Sequence, residues 1–167
     1  TRADGLAEAK CMFRAAPAQH KHVVSHRKRV AINRQMNNAN VGQGALFLKA
    51  TPTRGQNNAC QSAWLWPGIE LLGACTGVKK GLKNNCIYTV SHVTPEIITL
   101  EGGISLTHVQ APTWLRLSYA RTYASIQGTE FADSIRIHDA SSPHFSHRHL
   151  FVAISRTMKG AVISIAD

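Results

Sequence analysis

The chain has 167 residues, 44% of them hydrophobic and 17% charged, the size and composition of one globular domain or of one domain with a small insertion, which excludes a disordered or fibrous chain. Nineteen Lys and Arg stand against nine Asp and Glu, a formal net charge of +10, which favours a polyanionic partner, nucleic acid ahead of an anionic membrane surface. No apolar stretch approaches a membrane span, and the start Thr1-Arg2-Ala3-Asp4 carries neither a signal-type apolar region nor an initiating Met, so a soluble piece of a longer intracellular protein is expected.

In chain order, Leu6 to Ala15 is rich in helix formers and is followed by Pro17, which predicts a first helix. His22 to Ser25 reads as a short strand, and the apolar spacing of Val30, Ile32 and Met36 predicts a helix after it. Gly42 to Asn58 is rich in Gly, Asn, Thr and Pro around one strand-like run, ALFLKA, and reads as a loop-bearing boundary. From Trp64 to Thr113 the segments are short, β-branched and separated by Gly, Asn and Pro, as in a small antiparallel sheet or barrel, with a turn at Lys83-Asn84-Asn85. The last third alternates again: strand WLRLSYA, a loop and helix around TYASIQGTEF, strand SIRIHD, a helix across SHRHLFVAISRTM and a final strand AVISIA. Strands joined by helical crossovers imply a parallel sheet. The expected fold class is therefore α/β, a parallel sheet flanked by helices over residues 1–61 and 114–167, enclosing a β-rich insertion of SH3-like or hairpin type over 62–113.

Cys11, Cys60, Cys75 and Cys86 form no CxxC pair and no zinc-ribbon spacing, so reduced thiols and no structural metal are expected. His144, His147 and His149 cluster in PHFSHRHL, but no further ligands stand at a known spacing, and no metal site is expected. Basic residues gather at Lys21, Arg27, Lys28, Arg29 and Arg34, and again at Lys79, Lys80 and Lys83; each cluster reads as a polyanion contact or as a solvated run. Trp64, Trp66 and Trp114 read as strand core, with base stacking as the competing role.

Two segments carry chemistry. YARTYASIQGTEF, Tyr119 to Phe131, follows a predicted strand and resembles motif V of superfamily 1 helicases; LFVAISRT, Leu150 to Thr157, resembles their motif VI. VVSHRKRVAIN, Val23 to Asn33, resembles more loosely the motif IV region of the RecD-like and Pif-like branch, and Pro67 to Val90 is similar to that branch's stretch between motifs IV and V. The chain thus resembles the C-terminal RecA-like motor domain of such a helicase, called 2A.

The resemblance implies roles. Hydrolysis of a nucleoside triphosphate builds negative charge on the transferred phosphoryl group, which a planar guanidinium stabilises. Arg156 is implied as that arginine finger, supplied across a cleft to a nucleotide held by a partner lobe. Gly128, beside Gln127, would let backbone approach the nucleotide, and Glu130 would contact the ribose or the γ-phosphate side. Ser25, His26, Arg29 and Thr122 would hold nucleic-acid phosphates, and Tyr123 would stack on a base. The His usual two residues after the motif V Thr is Ala124 here, which departs from the pattern.

No GxxxxGK[ST] loop occurs, and TGVKKG at Thr76 to Gly81 lacks its spacing; the acidic magnesium-holding pair is missing too. ATP and Mg2+ are therefore expected to sit mainly on an N-terminal RecA-like domain of the same parent protein, with the isolated chain inactive. Single-stranded DNA is the expected partner, RNA is an alternative, and a non-catalytic binding module of helicase-like fold is another. A nuclear or viral replication site is the expected location.

Overall fold

A computed structural model describes residues 18–50, 61–77, 80–158 and 163–166. The helix expected over Leu6 to Ala15, together with Cys11, Cys60 and Lys79, lies outside them. Two compact units divide the chain, one of residues 1–29 and 119–167, the other of residues 30–118.

In the first unit, β1 (His20–Val23), β9 (Ala120–Thr122), β10 (Ile135–Ile137) and β11 (Ile163–Ile165) form a four-stranded sheet in the order β11-β10-β1-β9. Every pairing in it is parallel, as the alternation of strands and crossovers requires. Register places His20 beside Ile135, and His22 between Ile137 and Arg121. Side chains alternate across a strand, so these residues share one face, and Lys21, Arg136, Val23 and Thr122 share the other. The first face carries the core: Ile135 and Ile137, both 0% exposed, each contribute roughly 1.5 to 3 kcal/mol of burial. Tyr123, Ile126, Phe131, Phe145 and Ala153 complete the same cluster.

Between β10 and β11 runs a helix, His147–Ile154. It starts at Ser146, where a capping box forms between Ser146 and His149; the ring Nδ1 of His149 accepts the Ser146 N–H at 3.1 Å. The helix ends sooner than SHRHLFVAISRTM suggests, with Ser155 as its C-cap, because the chain beyond turns to pair Thr157 with Phe131 in a parallel bridge. Around TYASIQGTEF the expected helix is only a 3₁₀ turn, Tyr123–Ile126, which ends as Gln127 becomes extended at ψ 128 and Gly128 follows at φ 81.

In the second unit, β4 (Glu70–Gly73), β5 (Ile87–Val93), β6 (Ile97–Leu100), β7 (Ser105–Thr107) and β8 (Leu115–Leu117) make an antiparallel sheet in the order β7-β6-β5-β4-β8, and β2 (Leu46–Leu48) pairs with β3 (Ala63–Leu65). A helix, α1 (His26–Ala39), begins in the first unit and runs on into residues counted with the second; with the short turn α2 (Ala111–Trp114) before β8, the helix after β10 becomes α3.

This β-rich unit is wider than residues 62–113. On the N-terminal side, Asn37 brackets Trp64, its amide donating to the Trp64 carbonyl at 2.9 Å and its oxygen accepting the Trp64 N–H at 2.8 Å. On the C-terminal side, WLRLSYA is two strands: β8 pairs with β4, and β9 joins the parallel sheet. The tryptophans expected as strand core are each half-buried, and Trp114 ends a helical turn. Trp64 lies against the exposed Phe47 at 5.1 Å between centroids, and a Cβ on Gly42 or Gly77 would meet the ring of Trp66 or Trp114 at 2.3 or 2.4 Å.

Candidate functional site

The side chains expected from motifs V and VI belong to the first unit: Thr122 closes β9, while Arg156 bonds Phe131, which precedes β10 and lies beside His20, the first residue of β1. From the end of β9 the 3₁₀ turn leads to Gln127 and Gly128, both exposed, and then to Glu130, also exposed. No neighbour stands within 4 Å of a Cβ built on Gly128. Its positive φ, rather than crowding, is what calls for glycine there.

Arg156 meets this turn. The N–H of Phe131 donates to the Arg156 carbonyl at 2.7 Å, and the N–H of Met158 donates to the Phe131 carbonyl at 3.0 Å. Arg156 is half-buried, its Nε enclosed without a hydrogen-bond partner, and it has no ion pair among the described residues. A guanidinium with no ion pair among the described residues is suited to receive an anion.

The second group follows β1 and β9. Ser25 follows β1, its Oγ accepting the Lys28 N–H at 3.2 Å, and Ser25 and His26 are exposed. Two expected contacts fall on buried side chains. Arg29 is 2% exposed, one turn into the helix. Tyr123 is 3% exposed, its hydroxyl donating to the His138 carbonyl at 3.0 Å and its ring packed edge-on against Phe145 and His149. It is a core residue with its polar end satisfied, and burial pushes the phenol well above its ordinary pKa. Thr122 ends β9 as expected but is buried at 6% exposure, its carbonyl accepting the Ser125 hydroxyl at 2.9 Å. Ser25 and His26 remain the exposed members. Asn33, the motif IV asparagine, is fully buried and donates to the Leu117 carbonyl at 3.3 Å within the second unit.

Sequence reasoning missed Asp139 and its pairing with Lys28. The Asp139 carboxylate accepts the Val24 N–H at 2.8 Å through Oδ2 and the Lys28 ammonium at 2.7 Å through Oδ1. Burial opposes its charge, but the Lys28 and Val24 hydrogen bonds outweigh that and hold its pKa below the ordinary carboxylate value. Next to it, burial lowers the His138 pKa to about 4, reinforced by Lys28 and Arg136. An acid directly after SIRIH, at the end of a predicted parallel strand, was the available signal. Among the described residues no group of three His, Cys, Asp or Glu side chains could hold a metal ion, so the residues present do not fit a magnesium site. Nor is any helix there long and apolar enough to cross a membrane.

Solved structures share the fold. Pif1 helicases unwinding forked double-stranded DNA match at a TM-score of 0.69 with 21% identity, over 98% of this chain and 43% of theirs. The chain has the RecA-like fold of a Pif1-type helicase domain. Bacteroides Pif1 in complex with ADP-AlF3 and single-stranded DNA matches at 0.63 with 20% identity, over 98% of this chain and 44% of that one. Candida albicans Pif1 matches at 0.60 with 14% identity, over 98% and 50%. The Pif1-like fold thus extends over nearly the whole chain while spanning half or less of each neighbour's length. No protein-family model matches the sequence, and no curated protein does.

Proposed function

We propose that the chain is the second, C-terminal motor half of an ATP-dependent DNA helicase, supplying an arginine finger and single-strand contacts to a nucleotide and a strand that it shares with an N-terminal RecA-like lobe. The observation that carries this reading is the main-chain bond from the Phe131 N–H to the Arg156 carbonyl, which ties the backbone of Arg156 to the residue that follows the Gly128–Glu130 turn. As the cleft closes, Arg156 meets the oxygens of the transferred phosphoryl group and stabilises their growing charge. Gly128 admits backbone approach, and Glu130 contacts the ribose or the γ-phosphate side. Magnesium and the phosphate-cradling loop belong to the other lobe. Exposed apolar side chains near Arg156, Phe151 and Ile154 on α3 and Met158 beyond it, are what a surface covered by a second lobe would carry.

Ser25 and His26 hold the strand by its phosphates, so binding is independent of base sequence. The neighbours' complexes with single-stranded DNA and ADP-AlF3 support the ligand classes. Titrating the chain with a labelled oligothymidylate tests the reading. The logarithm of the binding constant should fall linearly with the logarithm of salt concentration, and binding that is absent or indifferent to salt would contradict it.

A further inference from the structure

Resting on the strand-binding role of the β1–α1 turn, we infer that Asp139 is a positioning residue, the group that sets that turn in its phosphate-holding shape. Asp139 follows β10 at φ 65, left-handed backbone that residues other than glycine seldom adopt. That conformation delivers its carboxylate to the neighbouring strand's exit. One oxygen takes the N–H of Val24, the first residue past β1, and the other takes the Lys28 ammonium. Lys28 in turn donates its own N–H to Ser25 Oγ. The bonds from Asp139 to Val24, along the chain to Ser25, across to Lys28 and back to Asp139 form a closed ring around the turn.

The topology gives this ring a functional place. β1 and β10 are adjacent, yet from β1 the next strand in the sheet is β9 on one side, and from β10 it is β11 on the other. Adjacent strands whose connections diverge leave a crevice between their C-terminal ends. Asp139 stands on the β10 side of that crevice and Ser25 on the β1 side. A carboxylate beside a phosphate path repels the ligand unless it is neutralised, and the Lys28 side chain, 2.7 Å away, neutralises it. Asp139 therefore acts on the strand through Val24 and Ser25 and never by touching the phosphate.

The competing role is charge masking, in which Asp139 only occupies Lys28, which would otherwise bind phosphate itself. The two roles predict opposite signs. Asp139→Gly keeps the backbone conformation and removes the carboxylate, while Asp139→Asn keeps the conformation and an oxygen able to accept the Val24 N–H. Oligothymidylate binding by the whole chain at one fixed salt concentration should weaken about tenfold in Asp139→Gly and stay within about twofold of wild type in Asp139→Asn. Amide hydrogen exchange should quicken at residues 24–28 in Asp139→Gly and remain unchanged in β11. Wild-type affinity or tighter in Asp139→Gly, or unaltered exchange in the turn, overturns the inference. Failure of the wild-type chain to bind the oligothymidylate overturns the strand-binding reading and this inference with it.

Discussion

The N–H of Phe131 donates to the carbonyl of Arg156 at 2.7 Å, joining the end of the segment that resembles motif V to the residue proposed as the arginine finger. Phe131 is itself fixed: its ring lies 5.0 Å from that of His22 and takes the Arg121 guanidinium 5.5 Å from its centroid. A main-chain bond to so well-packed a residue limits where the Arg156 backbone can go, and the side chain's reach is then set from the sheet. This is the kind of support a transition-state contact requires, because small displacements of such a group cost orders of magnitude in rate.

Gly128 sits at φ 81 with open space around it. Gly128→Ala should destabilise the chain by about 1 to 2 kcal/mol through backbone strain alone, and Gly128→Asn should cost less, since Asn tolerates the left-handed region. Denaturant midpoints of the three proteins check this; equal losses would place the cause in the side-chain environment.

Tyr123→Phe removes the hydroxyl that satisfies the His138 carbonyl. About 1 kcal/mol of stability should go, with oligothymidylate affinity unchanged. Reduced affinity at unchanged stability would restore Tyr123 to the strand path.

Burial drives the pKa of His22 down to about 3 and that of His138 to about 4, from an ordinary value of 6.5. In the unfolded chain both titrate near 6.5, so below that pH the unfolded state binds more protons than the native state, and stability rises with pH. Their contribution is fully present above pH 6.5 and is lost as pH falls toward 4. Unfolding free energy measured across this window should decline on acidification, and His22→Leu, which removes one titrating group and its two unpartnered nitrogens, should flatten the decline. An unchanged slope in that variant would show that His22 does not titrate on unfolding.

Much of this was legible in the sequence, for physical reasons. β-branched runs separated by crossovers announced the parallel sheet, and the segments that resemble motifs V and VI fall in the unit that carries it. What failed depended on three-dimensional context. WLRLSYA is a single apolar run, and nothing local shows that Ser118 bonds the Glu70 carbonyl whereas the Tyr119 carbonyl accepts the Lys21 N–H. A tyrosine next to a phosphate-contacting motif looks the same in sequence whether buried or exposed, and Tyr123 is buried. Asp139 was passed over because a positive φ at one aspartate leaves no periodic trace.

The most direct test is the rate of ATP hydrolysis by the full-length protein that contains this chain, with wild type compared against Arg156→Ala and Arg156→Lys. Both variants should lose about a thousandfold or more of DNA-stimulated turnover, since an ammonium cannot replace the planar fork, while single-strand affinity stays within about twofold. Turnover at the wild-type rate in Arg156→Ala would contradict the assignment of a motor half that completes its partner's active site.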